Sequence, residues 1–286
     1  MGMVGDMKTP HWLVAVSAAV LFGSTGLQTA SAQLPSLDEQ PWIGHFIGYE
    51  AKRLRIGVTA LGKITMHALN NKGEMIDMHH PVVVAFGIEE TLPNGKTQMK
   101  NIIAESLETT DAATDKLEKV TIRGKVTGDA AFETTIEEQR GYFLIGGRVT
   151  DSGTLKNPLR FVVTAKFPSM YEKVKKETKK EISAYEKKTK NDGIQMKWTD
   201  GKREKADLSD SVDASSPEIN GPGISELELE AGAYPDREFV FNASPNSSMR
   251  LSNNGAGPLH EGFTITWAAE PGKDPEGKAR IAFDVK

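Results

Sequence analysis

The chain has 286 residues and a net charge of −4, with 38% hydrophobic and 26% charged residues and no cysteine. This composition is typical of a folded globular protein and excludes disorder throughout. The mild acidity argues against nucleic-acid binding, and the lack of cysteine excludes disulfide bonds and lipid attachment through a thiol.

Residues 1–32 have the layout of a secretory signal peptide. Lys8 precedes an apolar run at 12–22, and an A-x-A cleavage site follows at 30–32. The run is too short to span a membrane as a helix, which needs about 20 residues. We therefore expect cleavage between Ala32 and Gln33, export to the periplasm or the cell exterior, and a mature chain without a membrane span.

Residues 33–168 alternate apolar and polar side chains, most clearly at 54–60, 119–126 and 159–167. This period of two indicates strands with one apolar face, and turns such as Asn94-Gly95 favour hairpins. The pattern predicts an all-β fold, an antiparallel β-sandwich or a barrel-like meander.

The segment 169–192 breaks the alternation. Ser169 and Glu172 form a potential capping box, and a narrow stripe that includes Tyr171, Val174 and Ile182 predicts an amphipathic helix packed on a sheet. Eight lysines and four glutamates lie between residues 169 and 191. They give either a solvated face or a cationic surface for anionic lipid or cell-envelope polymer.

The rest of the chain returns to strand patterns. Residues 193–208 predict a β-hairpin around Asp200-Gly201, and 209–223, rich in proline, glycine and polar residues, predicts a loose linker. Residues 224–286 predict a C-terminal β unit. A unit of this size buries a marginal core, so we expect it to pack against the first.

Aromatic side chains at turns are candidate ligand contacts, because sugars dock on exposed aromatic rings. Trp267 alternates with apolar neighbours and is expected in the core. The candidates for a glycan or another cell-envelope protein are Trp42, Tyr49, Trp198 and Tyr234.

Thioether and imidazole groups cluster between residues 66 and 80, and such ligands suit Cu(I). Adjacent residues of a strand point to opposite faces, so half of this group at most can converge. Core methionines with surface histidines are the simpler interpretation. The candidate ligands are Met66, Met75, Met78, His79 and His80, with His67 and Asp77 beside them.

Catalytic motifs are weak. The G-x4-G-K match at 57–63 is followed by Ile64, which cannot ligate magnesium, and no G-x-S-x-G or H-E-x-x-H motif occurs. A glycosidase needs two carboxylates at a set separation, and the carboxylates at 89–90 and 137–138 are candidates for such a pair.

These patterns favour an exported, non-enzymatic binding or structural protein without a cofactor. The first alternative is a polysaccharide-active hydrolase or lyase on a β-sandwich scaffold, and a minor one is a periplasmic copper-binding protein. An enzyme would present a concave site with paired titratable groups, whereas a binding module would present a shallow aromatic strip.

Overall fold

The computed structural model describes residues 34–171, 178–253, 255–270 and 272–286. The described residues belong to one compact unit. The expected signal peptide and its cleavage site at Ala32 and Gln33 lie outside the described residues. Within the described ranges, no helix combines the length and the apolar character needed to cross a membrane.

Ten strands precede the longer helix. They are β1 His45–Glu50, β2 Leu54–Thr59, β3 Ile64–Ala68, β4 Val82–Thr91, β5 Thr97–Met99, β6 Ile102–Glu108, β7 Lys119–Val126, β8 Ala131–Gln139, β9 Tyr142–Asp151 and β10 Leu159–Phe167.

Helix α1, Lys179–Thr189, is followed by nine more strands and two short helical turns. These are β11 Gly193–Trp198, β12 Arg203–Asp207, β13 Ser211–Val212, α2 Pro217–Asn220, β14 Ile224–Glu230, β15 Glu238–Ala243, β16 Ser247–Ser252, β17 Gly257–Pro258, the 3-10 turn Leu259–Glu261, β18 Phe263–Ala269 and β19 Ile281–Val285.

Antiparallel pairing joins seventeen of these strands into one curled sheet, which confirms the predicted all-β class. Its first half runs β1-β2-β3-β4-β10-β18-β16, and the short strand β5 also pairs with β4. Its second half runs β6-β7-β8-β9-β19-β15-β14-β11-β12. One residue pair, Ile224 with Met249, joins β14 to β16 and so connects the halves.

The two halves face each other across an aromatic interior. Phe86 on β4 lies 5.8 Å from Phe132 on β8, measured between ring centroids. Phe167 on β10 lies 5.4 Å from Phe239 on β15. The alternating sequence explains this packing, because every second side chain of each strand points into the space between the halves. In β7, for example, Ile122 is buried while its neighbours point toward solvent.

The C-terminal strands complete the N-terminal sheet. β18 pairs with β10 along six residues, and β19 pairs with β9. Residues of both predicted β units, 33–168 and 224–286, therefore belong to one hydrophobic core. Trp267 is fully buried there, as its alternation predicts.

Helix α1 begins at Lys179 and not at Ser169, so the predicted start is wrong. The capping box that forms is the next one along the chain, in which Thr178 and Glu181 bond each other's backbone N–H. Tyr171 is buried as predicted, but Ile182 is 36% exposed and does not pack as the stripe requires. Val174 lies outside the described residues.

The segment 209–223 is ordered by specific contacts and is not a loose linker. It contains β13 and α2, and Asn220 at the end of α2 is buried. The Asn220 side chain donates to the carbonyl oxygens of Ala214 and Leu251, and its own oxygen accepts the Leu251 N–H at 2.7 Å. These bonds tie the segment to β16, because a buried amide needs partners for its polar atoms.

Candidate functional site

Trp42 sits in a tight turn that leads into β1. Its N–H donates to the Glu39 carbonyl oxygen, and its own carbonyl oxygen accepts the His45 N–H, both at 2.9 Å. The next residue, Ile43, is 55% exposed. The turn folds the half-buried indole back over the outer face of β1 and β2.

Two paired glycines make room for these rings. Gly48 on β1 is opposite Gly57 on β2, and neither has a left-handed backbone. A Cβ atom at Gly48 would lie 2.2 Å from Cδ2 of Trp42, and one at Gly57 would lie 2.6 Å from Cδ2 of His45. Real Cβ atoms do not approach other atoms so closely. The two glycines therefore form a seat on which the indole and the imidazole lie against backbone.

Charged groups border the indole. The Arg55 guanidinium carbon lies 5.4 Å from the Trp42 ring centroid, a cation–π distance, and the Arg55 Nε donates to Glu50 at 2.7 Å. The His45 ring meets Trp42 edge to face at 5.7 Å. We call Trp42, Ile43, His45, Glu50 and Arg55 together the Trp42 surface. It combines an aromatic ring with hydrogen-bonding groups that solvent can reach.

The same outer face continues toward the loop before β4. His67 on β3 is the register partner of Arg55, and its Nδ1 lies 3.1 Å from the Asp77 carbonyl oxygen. Burial lowers the pKa of His67. Burial would raise the pKa of Asp77, but hydrogen bonds from His80 and from the backbone N–H groups of His79 and His80 lower it overall.

Met66 lies apart from the exposed candidates for copper binding. Met66 is buried in the core and faces away from His67, whereas Met78 is 59% exposed and Met75 is half-buried. Of the imidazole rings of His79 and His80, only that of His80 contacts the Asp77 carboxylate, at 3.0 Å. Among the described residues, no three histidine, aspartate or glutamate side chains are arranged to hold a metal ion.

Trp198 is half-buried and holds the neighbouring segment in place. Its indole N–H donates to the Ile219 carbonyl oxygen at 3.1 Å. Its ring covers Gly221, where a Cβ atom would lie 2.5 Å from the indole. The ring is thus used to fix 209–223, and it is not the exposed tip that the hairpin position suggested.

Tyr49 and Tyr234 point inward. The Tyr49 ring lies 6.3 Å from Phe143, and burial raises its pKa. Tyr234 is only 5% exposed, its ring meets Phe239 edge to face at 4.9 Å, and burial raises its pKa to about 12. Tyr234 is therefore not the exposed aromatic residue that its position at a turn suggests, because its ring packs on Phe239 in the core.

The carboxylates of 89–90 do not form a catalytic pair. Glu89 accepts a hydrogen bond from Arg160 at 2.7 Å. Glu90 forms an ion pair with Lys100 and accepts from Asn157, and both partners lower its pKa. Each carboxylate is therefore bound by its own partner, and in Glu90 these partners favour the ionised form. A general acid requires the opposite shift.

A different pair of carboxylates borders an open hollow of about 450 Å³. Glu230 on β14 and Glu238 on β15 are direct cross-strand neighbours there. Burial raises the pKa of Glu238, and the charges of Glu228 and Glu230 raise it further. Tyr234 and Lys286 also line the hollow. No sequence motif marks this pair, because only the strand register brings the two residues together.

The class defined by these features is an all-β protein with one curled antiparallel sheet. No family model matches the chain, and no curated protein matches it. Among solved structures, the α-N-acetylgalactosaminidase NagBb of Bifidobacterium bifidum, as a quadruple mutant, is similar with a TM-score of 0.50 and 10% identity. The match covers 84% of this chain and 36% of that protein, so this chain spans about a third of its length.

A second similar structure is the Slr1438 protein of Synechocystis sp. PCC 6803, with a TM-score of 0.45 and 12% identity. That match covers 82% of this chain and 92% of the other. At such identities the likeness to solved structures concerns the fold alone.

Proposed function

We propose that this protein is an exported, non-enzymatic glycan-binding protein of the periplasm or cell surface, and that it binds sugar at the Trp42 surface. The observation that carries the proposal is the indole of Trp42, which lies against the Gly48–Gly57 seat on an outer sheet face with charged groups beside it.

The chemistry of sugars suits this arrangement. A pyranose ring presents C–H groups on one face, which pack on an aromatic ring, and hydroxyl groups around its rim, which need donors and acceptors. Arg55 supplies donors and Glu50 supplies acceptors close to the indole. Because the turn and the two glycines hold the ring in place, little side-chain entropy is lost on binding.

The structural comparison is consistent with a carbohydrate-related role. NagBb is named as a glycosidase, and a third of its length has this fold. Fold alone does not carry function, so the argument depends on the Trp42 surface. The signal-like pattern of residues 1–32 supports export, and N-terminal sequencing of the secreted protein should start at Gln33.

A glycan array followed by calorimetry tests the binding proposal. We expect Trp42→Ala to weaken binding of the array hit by about tenfold, the scale of one aromatic contact. Tyr142→Ala is the matched control, because Tyr142 is an exposed aromatic residue on β9, 38% accessible. Equal losses in both variants, or an array without any hit, would contradict the proposal.

The hollow beside Glu238 favours a second candidate, a polysaccharide-active enzyme. A carboxyl group whose pKa is raised and that lies opposite a second carboxylate is what a general acid in glycoside hydrolysis needs. The test is the release of reducing sugar from glycans that bind on the array. If Glu238→Gln abolishes this release and Trp42→Ala retains it at high substrate concentration, the protein is an enzyme and not only a binding protein.

A further inference from the structure

Helix α1 lies on the protein with little of its surface covered. Of its residues, only Tyr185 is half-buried and only Thr189 is buried, and all the others are exposed. The Tyr185 hydroxyl lies 2.9 Å from Nε2 of His260, and the Thr189 hydroxyl donates to the Tyr185 carbonyl oxygen. The contact of Tyr185 with His260, and the Lys188 ammonium group 5.0 Å from the Tyr171 ring centroid, hold one side of the helix against the body.

Four lysines share the opposite side. With about 100° between successive residues of an α-helix, Lys179, Lys180, Lys187 and Lys190 fall within an arc of about 100°. Tyr185 and Thr189 lie roughly on the other side of the helix axis. Lys190 keeps helical geometry as the C-cap residue, so it belongs to the same face.

These lysines have no carboxylate partner within the described part of the chain. On this face Ser183 is small and exposed, and Glu186 lies at its edge, about 20° from Lys179 around the helix axis. The positive charges therefore line a strip about 16 Å long, at a rise of about 1.5 Å per residue. Like charges so placed repel one another, and a polyanion removes that repulsion.

We propose that this α1 lysine face (Lys179, Lys180, Lys187 and Lys190) binds an anionic polysaccharide, one that carries carboxylate or sulfate groups along its chain. The site is separate from the Trp42 surface and does not depend on it. The lysine face recognises the negative charges of the polymer, whereas the aromatic ring of the Trp42 surface packs on the C–H face of a sugar ring.

An anionic lipid surface fits this helix less well. A helix that lies in a membrane interface pairs its basic face with an apolar face that enters the lipid. In α1 the one large apolar residue besides Tyr185 is Ile182, which is 36% exposed and lies on the side of the helix that faces the body. Binding by charge alone to a flexible polymer needs no such insertion.

The test uses the full chain and dextran sulfate as the probe, with uncharged dextran and phosphatidylglycerol vesicles as comparisons. The variant Lys179→Gln/Lys180→Gln/Lys187→Gln/Lys190→Gln removes the face and keeps residues that favour helices. The control Lys72→Gln/Lys96→Gln/Lys116→Gln/Lys156→Gln removes the same charge from exposed positions elsewhere. Circular dichroism verifies that both variants are folded.

We expect the native chain to bind dextran sulfate more weakly as salt increases, and to ignore uncharged dextran. Loss of four surface ion pairs of ordinary strength should weaken binding by about 30-fold in the α1 variant and little in the control. Equal loss in both variants, no loss in the α1 variant, or binding to vesicles but not to dextran sulfate would overturn the proposal. Array binding by Trp42 is measured separately, so either proposal can fail alone.

Discussion

Gly48→Ala should destabilise the protein in the native background and stabilise it when Trp42 is absent. Alanine normally improves a strand position relative to glycine by about 0.5–1 kcal/mol. At Gly48 the new methyl group would lie 2.2 Å from the indole, whereas ordinary contact begins at 3.4 Å. The Trp42 ring must therefore move away by at least about 1 Å.

The cost follows from the area that the ring covers. A tryptophan side chain buries about 150–250 Å². If the shift exposes about 100 Å² of the ring and its seat, about 2.5 kcal/mol of burial energy is lost. After the strand preference of alanine is subtracted, Gly48→Ala should reduce the free energy of unfolding by about 1.5–2 kcal/mol.

Urea unfolding of four proteins measures this effect: the native chain, Gly48→Ala, Trp42→Ala and the double variant. In the Trp42→Ala background the obstacle is gone, so Gly48→Ala should increase stability by about 0.5–1 kcal/mol. The coupling between the two positions should be about 2.5 kcal/mol. If Gly48→Ala had an effect of the same sign and size in both backgrounds, the claim that the Trp42 ring lies directly against Gly48 would be refuted.

Three further outcomes are expected. Tyr171 donates a hydrogen bond to the buried Asp192, and burial together with that carboxylate raises the pKa of Tyr171. The free energy of unfolding should therefore fall above about pH 10, because tyrosine ionises there in the unfolded chain but not yet in the folded protein. Urea titrations at several pH values should show a smaller fall for Tyr171→Phe. Asn220→Ala should cost about 3 kcal/mol in urea unfolding, because buried backbone groups lose their partners. Stoichiometric Cu(I) should leave the Met66 methyl NMR signal unshifted, since Met66 is in the core; a shift there would revive the copper site.

The strands were predictable because burial imposes a period of two on the sequence. The start of α1 was not predictable from the capping-box pattern, because two segments of the chain satisfy it. Both Ser169 with Glu172 and Thr178 with Glu181 satisfy the capping-box pattern. A tertiary contact separates them: the Tyr171 hydroxyl binds Asp192 and accepts from the Ala233 N–H at 3.2 Å, so residues 169–171 are drawn into the body and the later box caps the helix.

The Trp42 surface was predictable only in part. Trp42 was a candidate from its residue type, but Arg55 and His45 were not, because they reach it through strand pairing and a bulge between His45 and Ile47. One signal was present. Gly48 and Gly57 lie inside strands, where glycine weakens the strand and marks a place of close approach.

Because aromatic side chains fill the interior, we expect ligands to bind at the outer surface of the molecule. Rings from β4, β8 and β10 occupy the space between the sheet halves near Phe86, and rings from β10, β15 and β18 occupy it near Phe167. A ligand of sugar size would have to displace this packing, which costs several kcal/mol for each large side chain. Recognition at the outer Trp42 surface, at the α1 lysine face or at the open hollow beside Glu238 requires no such displacement. Binding should therefore leave the urea unfolding slope unchanged and raise only the midpoint.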